Sequence, residues 1–390
     1  MQAVAARATL RDNPTAQGLI LTALAMLAVG VVMVPSALVT VGSSTEWYKR
    51  ADVRHIVFAV AAAAVVLALW RVDYRRLDAG RRFPVVAAVL LAIALGTAPL
   101  VFVPGLGKSI GGYRRWVRIG PAAYGIGFQP SELIKLSMIV FLAAWLSRPE
   151  RRLGSFWRTF LPAVLVMGAC VGAVITQDVG TGAVIAIAAC VTMLLAGVAW
   201  TYVVPLVAAG GGAFYALLRM DPNRWRRIEA MIDPWDKANP CAYQLRQSLV
   251  TIGTGGWTGR GLGGGMMKRG FLPEDSTDFL YATICEEWGF VGGAVLLGLL
   301  IVWLFLAARA ARRAGNKFAA VLAGALGFLI AMQSVMHVAV NVGWMPPTGI
   351  GMPLVSAGGT RLVLMACAVA LVVSVTARSE MDDCRLTIDD

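Results

Sequence analysis

Residues 18–40 read GLILTALAMLAVGVVMVPSALVT, with no charged side chain among them. The hydrocarbon core of a bilayer is about 30 Å thick, and a helix crosses it with about 20 apolar residues. This run meets that length. Nine more follow, at about 54–71, 84–104, 131–148, 158–176, 180–199, 202–219, 289–309, 318–342 and 360–377. With 58% hydrophobic and 15% charged residues, the composition excludes an ordinary soluble domain. The expected fold class is all-α, a polytopic membrane protein with about ten transmembrane helices. Only Gln177, Asp178 and Val179 separate the fifth and sixth runs, which predicts a tight hairpin. No internal repeat or second domain is read, so 1–390 is taken as a single integral membrane domain.

The chain holds 35 Lys+Arg against 22 Asp+Glu, a formal charge of +13. Such a balance suits nucleic acid in other contexts, but here the arginines sit in short segments between apolar runs. That pattern sets membrane orientation, and no nucleic-acid partner is expected. Arg71, Arg75, Arg76, Arg81 and Arg82 lie between runs two and three. Arg148, Arg151, Arg152 and Arg158 lie between four and five, and Arg309, Arg312, Arg313 and Lys317 between eight and nine. With ten spans all three groups fall on one side, together with an N-terminal tail (1–17) and a C-terminal tail (378–390). That side is read as cytoplasmic. Arg7 and Arg11 precede an apolar run with no small-residue cleavage site, so the run is read as a first span and not a removed signal.

The opposite side carries the segments 105–130 and 220–288. The second is a large extracytoplasmic loop between helices 7 and 8, and its Trp225, Trp235, Trp257 and Phe271 argue for folded structure over disorder. Six cysteines form no C-x-x-C pair, and with His55 and His337 the only histidines a structural zinc site is excluded. His55 flanks a span and is read as interfacial. His337 lies inside one and is read as bonding to a neighbouring helix.

Chemistry is sought in the stretch GFLPEDSTDFLYATICEEWGFVGG, residues 270–293. It gathers Glu274, Asp275, Asp278, Glu286 and Glu287 at the mouth of a span, where carboxylates are expensive to hold. Asp278 stands at the boundary of water and apolar Phe279–Leu280–Tyr281, so its pKa can rise and it can act as a base. Glu286 and Glu287 immediately precede the eighth apolar run and could serve its N-terminal dipole. Asp178 either caps the following helix or positions a cation or basic side chain. Lys135 either snorkels to the interface or holds a phosphate. Arg114, Arg115 and Arg118, interleaved with Tyr113 and Trp116, form either an amphipathic surface segment or a basic surface for pyrophosphate.

The run TIGTGGWTGRGLGGG (251–265) holds eight glycines, and Gly259, Gly261 and Gly264 match G-x-G-x-x-G. No strand precedes it and no helix opens after it, so a dinucleotide site is rejected. Tight turning of backbone beside other backbone, or beside a polar head group, explains the glycines.

Seven segments in order are GYRRWVRIG, FQPSELIKL, QDVGTG, DPW, YQLRQSLVTIGTGGWTGRGLG, FLPEDSTDFLYATICEEWGFVG and PPTGIGMPLVSAGG. Together they resemble the SEDS family (shape, elongation, division and sporulation proteins such as FtsW and RodA). The resemblance implies polymerisation of lipid II into peptidoglycan glycan strands at the outer face of the bacterial cytoplasmic membrane. It implies Asp278 as the catalytic carboxylate and Arg115, Lys135, Gln247, Ser248 and Glu274 as contacts to substrate or pyrophosphate. Asp178 and Glu286 take structural or cation-positioning roles, and a divalent cation, magnesium or manganese, is a possible cofactor. The implied partners are a class B penicillin-binding protein transpeptidase, expected as a separate polypeptide, and other membrane proteins of division or elongation. The chain departs from the family pattern in two places: Ser276 stands where His is usual, and the usual Ser-Tyr-Gly-Gly-Ser-Ser near the last span reads Ser356-Ala357-Gly358-Gly359-Thr360-Arg361. A flippase moving lipid II without chemistry is the rival reading, although no inverted repeat supports it.

Overall fold

The computed structural model describes residues 13–38, 50–80, 83–110, 113–118, 120, 127–266, 272 and 276–386. Glu274 and Asp275 lie outside the described residues. Helix α1 (Pro14–Leu38) is followed by α2 (Ala51–Leu69), α3 (Val85–Thr97) and a three-stranded sheet. Then come α4 (Pro130–Leu146), α5 (Leu161–Ile175), α6 (Val179–Leu195) and α7 (Trp200–Met220). Two shorter helices, α8 (Pro222–Ile232) and α9 (Pro240–Gly255), lead to α10 (Leu280–Arg312), α11 (Lys317–Asn341) and α12 (Thr360–Leu386).

Each of the ten apolar runs coincides with one of these helices. Among the described residues, eight helices are long and apolar enough to cross a membrane. The other two, α4 and α6, have 17 residues each, or about 26 Å at 1.5 Å per residue. At two of these helices a polar cap sets the start. Asn13 accepts from Ala16 N at 2.9 Å, so α1 begins ahead of residue 18. Asn316 does the same for α11 through Ala319 N. At the other terminus, α12 runs on to Leu386, so residues 378–386 of the expected C-terminal tail are helical.

The basic segments gather at one end of the bundle. Arg148 pairs with Asp78 Oδ1 at 2.8 Å and donates to Gly80 O, tying the 147–155 segment to the 70–80 segment. Asn316 donates to Tyr74 Oη, and Arg378 to the carbonyls of Trp70 and Arg71. Asp78 feels two opposed effects: burial raises its pKa, and the Arg148 guanidinium pulls it back in part.

The other end differs from the sequence expectation in two ways. Strands β1 (Gly107–Ile110), β2 (Tyr113–Arg118) and β3 (Gly127–Phe128) pair antiparallel in the order β1-β2-β3, where an amphipathic surface segment was one reading. The period-two alternation of a strand turns Arg114 and Arg118 to solvent and draws Arg115 and Val117 inward. The segment 220–288 is also less of a loop than expected, since it contains α8, α9 and the first turns of α10.

Helix α10 has 33 residues and is broken at Gly289, whose φ of 70° and ψ of −167° are not helical. The glycine-rich run repairs the break with its own backbone. Arg260 N donates to Glu286 O and Gly261 N to Glu287 O, while Phe290 N and Val291 N donate to Gly256 O and Trp257 O. Irregular backbone within a membrane protein is tolerated only where protein satisfies it in this way. A Cβ on Gly259 would collide with Glu287 O, and one on Gly255 with Cys285 O. The glycines therefore serve backbone lying against backbone.

This corrects the reading of Glu286 and Glu287 as dipole groups ahead of a span. They lie inside α10, 0% and 1% exposed. Glu286 Oε1 accepts from Met266 N at 2.8 Å, and Glu287 accepts from Gly263 N and from Ser36 Oγ of α1. Their carboxylates clamp the glycine-rich run to the bundle.

Candidate functional site

The 177–180 hairpin, β2, α7, α8 and the 346–348 turn enclose a cavity of about 290 Å³. Its charged lining is Arg115, Arg224 and Arg227 against Asp178, an excess of guanidinium suited to an anionic ligand. Each arginine is fixed from behind. Arg115 Nε donates to Gln177 O at 3.0 Å, its Nη1 pairs with Asp178 Oδ2 at 3.3 Å, and its guanidinium lies 5.1 Å from the Tyr113 ring centre. Arg224 pairs with Asp221, which is itself the cap of α8, and Arg227 donates to Pro347 O.

Both readings of Asp178 hold at once. Its Oδ1 accepts from Thr181 N at 2.9 Å as the cap of α6, and its Oδ2 holds Arg115. The tight hairpin predicted from three residues is thus the element that aims a guanidinium into the cavity.

Asp278 meets the same place from another direction. Thr348 lines the cavity, and the next residue, Gly349, has a φ of +73°. A Cβ there would lie 3.6 Å from Asp278 Oδ2 and 3.7 Å from Arg115 Nη1. The carboxylate and the guanidinium therefore both come within ordinary contact distance of one glycine's Cβ position. Ser276 is joined to the same region: its carbonyl accepts from Ala357 N at 3.1 Å, and the Ala357 carbonyl accepts from Arg361 Nη2. Ser276 and Arg361, both departures from the family pattern, thus meet at Ala357, itself a departure.

Lys135 is not brought to this cavity. It is 1% exposed and pairs with Glu132 at 2.9 Å, one turn earlier in α4. It neither snorkels nor reaches the cavity wall. Removing one partner of a buried pair strands the other charge. Lys135→Ala is therefore expected to lower the unfolding temperature in detergent, the orphaned Glu132 costing about 3–5 kcal/mol. Lys135→Met combined with Glu132→Gln is expected to recover most of it. Equal unfolding temperatures for wild type and Lys135→Ala would refute this.

Ser248 is likewise placed away from the cavity: it is fully buried and donates to Asn341 O at 2.8 Å. Gln247, its neighbour on α9, is half-buried, and its carbonyl accepts from Thr251. Among the described residues no three of His, Cys, Asp and Glu converge to hold a metal ion. Asp178 is engaged at both oxygens.

Sequence reasoning missed Asn341. It is fully buried at the end of α11, its Nδ2 donates to Asp278 O at 3.0 Å, and its Oδ1 accepts from Ala282 N. The available signal was an amide closing an apolar run, where an unpartnered polar group is costly. Arg224 and Arg227 were passed over because the 220–288 segment was read as loop.

The fold and the site define a class: a polytopic α-helical membrane protein with a guanidinium-lined cavity and a carboxylate at one end of the bundle. The chain belongs to the FtsW/RodA/SpoVE family of cell cycle proteins, whose model matches residues 16–381. It is 36% identical over 360 residues to a probable peptidoglycan glycosyltransferase FtsW of Nitrosococcus halophilus, covering 90% of each chain. It is 34% identical to the stage V sporulation protein E of Bacillus subtilis, covering 93% of this chain and 96% of that one. Among solved structures, a chain of a peptidoglycan synthase complex, described for its coordination of polymerization and crosslinking, superposes with a TM-score of 0.74 at 25% identity. That superposition covers 93% of this chain and 97% of that one. The rod shape determining protein RodA of Thermus thermophilus superposes at 0.65 with 26% identity, over 93% and 96% of the two chains.

Proposed function

We propose that this protein is a peptidoglycan glycosyltransferase that polymerises lipid II. The observation that carries the reading is the approach of both the Asp278 carboxylate and the Arg115 guanidinium to Gly349, the residue after Thr348 in the lining of an arginine-lined cavity. Asp278 takes the proton from the sugar 4-hydroxyl of one lipid-linked disaccharide. The freed oxygen attacks the anomeric carbon of a second, and the bond from that carbon to the pyrophosphate oxygen breaks. Undecaprenyl pyrophosphate leaves with the bonding pair. Its charge is met by Arg115, with Arg224 and Arg227 lining the same cavity, a preorganised electrostatic arrangement.

The proposal sets the protein in the bacterial cytoplasmic membrane with ten crossings, the basic end and both termini in the cytoplasm and the site end outside. A class B penicillin-binding protein transpeptidase cross-links the product as a separate partner. The test is reconstitution of the purified protein with lipid II and that partner, followed by electrophoresis of glycan products. Strands are expected, and lipid II translocated without strands would favour the flippase. Labelling of cysteines introduced beside Arg75, Arg151 and Arg312 is expected to report cytoplasm, and beside Lys108 and Lys237 the outside. A cytoplasmic Lys237 would overturn the substrate assignment, because the polymer is built outside.

A further inference from the structure

Two buried side chains one turn apart on α11 reach the two walls of the site. Asn341 Nδ2 donates both to Asp278 O at 3.0 Å and to His337 O at 2.8 Å, and its Oδ1 accepts from Ala282 N at 3.0 Å. Helix α10 has no side-chain cap of its own, so Asn341 supplies one from another helix. It thereby fixes the carbonyl of the residue whose carboxylate faces Gly349. His337 Nδ1 lies 3.1 Å from Ile350 O. A carbonyl only accepts, so this nitrogen carries the proton and donates. Ile350 directly follows Gly349, the residue that both Asp278 and Arg115 approach. The imidazole Nε2 is buried and without a partner among the described residues, which leaves Nδ1 as the working contact of the ring. His337 and Asn341 are 1% and 0% exposed.

We propose that His337 and Asn341 are positioning residues that hold Asp278 and the Gly349–Ile350 backbone in register for proton abstraction. This deepens the glycosyltransferase reading and rests on it. Neither residue touches substrate. Each ties a site segment to the same rigid helix turn, so the spacing between Asp278 and the Gly349–Ile350 backbone is set by one element instead of two independent loops. A general base displaced by 1 Å can lose about 10²-fold in rate, and the loss falls on kcat because binding groups stay in place.

Asn341→Asp keeps shape and the acceptor for Ala282 but abolishes the donor to Asp278 O. It is expected to lower kcat for lipid II polymerisation by about 10- to 100-fold, with KM and lipid II binding within about twofold. His337→Phe is expected to behave alike, and His337→Asn, whose amide can stand in for Nδ1–H, to restore most of the rate. In an Asp278→Asn background, Asn341→Asp is expected to remove little more, since residues acting through one group are not additive. Wild-type kcat for Asn341→Asp and His337→Phe would overturn the inference. So would equal losses in His337→Asn and His337→Phe, or a fall in lipid II binding and unfolding temperature that parallels the fall in rate. A fully active Asp278→Asn protein would instead bring down the glycosyltransferase reading itself.

Discussion

Asp278→Asn protein, reconstituted with lipid II and the transpeptidase partner, is expected to yield no glycan strands visible on a gel while still binding both. Asparagine preserves size and most hydrogen bonding but cannot take a proton, and loss of a general base commonly costs about 10²–10⁴-fold. The geometry makes the variant informative. The Asp278 carbonyl is held by Asn341, and the neighbouring Phe279 and Leu280 are 1% and 0% exposed, so the backbone has little reason to move. A loss of activity with unchanged thermal unfolding would thus report the carboxylate and not the fold. Asp275→Asn and Glu274→Gln, three and four residues upstream, are expected to be milder. Full polymerisation by Asp278→Asn would remove the base from the mechanism, and intact lipid II translocation in the same preparation would then point to a transporter.

The helices were legible in the sequence because a bilayer selects them by length and apolarity alone, and residues 18–40 or 318–342 need no tertiary context to be read. The sheet was not, because six residues with three arginines carry no strong strand signal. What makes YRRWVR a strand is its pairing with 107–110 and 127–128. Asp178 was half legible: its capping role is local, whereas its partner Arg115 is 63 positions away. Lys135 misled because a lysine near a helix start looks interfacial. Its burial depends on Glu132, whose i,i+3 spacing was in plain view. Asn341 and His337 were illegible as site residues, since nothing local says that one helix turn will meet both Asp278 and Ile350. Family motifs, not hydropathy, singled out Asp278, and the structure adds the neighbour that local sequence lacked.

Gly289→Ala is expected to be the most damaging small substitution in the bundle. The φ of 70° with ψ of −167° at this position belongs to a region that essentially only glycine occupies, and strain of this kind costs about 1–3 kcal/mol. The larger effect is steric. A methyl group there would be driven into Gly259 N and the Trp257 carbonyl, the same backbone that accepts from Val291 and repairs the break in α10. Relaxing the clash means separating the glycine-rich run from the helix. That would leave the carbonyls of Glu286 and Glu287 without their donors and loosen the Glu286 and Glu287 clamps on Met266 and Gly263. Unsatisfied backbone groups at that depth cost several kcal/mol each, roughly, because no water replaces the lost partner. Gly298→Ala, nine residues further along α10, provides the control, because a Cβ at Gly298 meets nothing within 4 Å. Monodisperse yield in detergent and unfolding temperature are expected to collapse for Gly289→Ala and to hold for Gly298→Ala. Matching unfolding temperatures for Gly289→Ala and wild type would mean that α10 can run straight through residue 289. The glycine-rich run would then need some reason to exist other than repairing a broken helix.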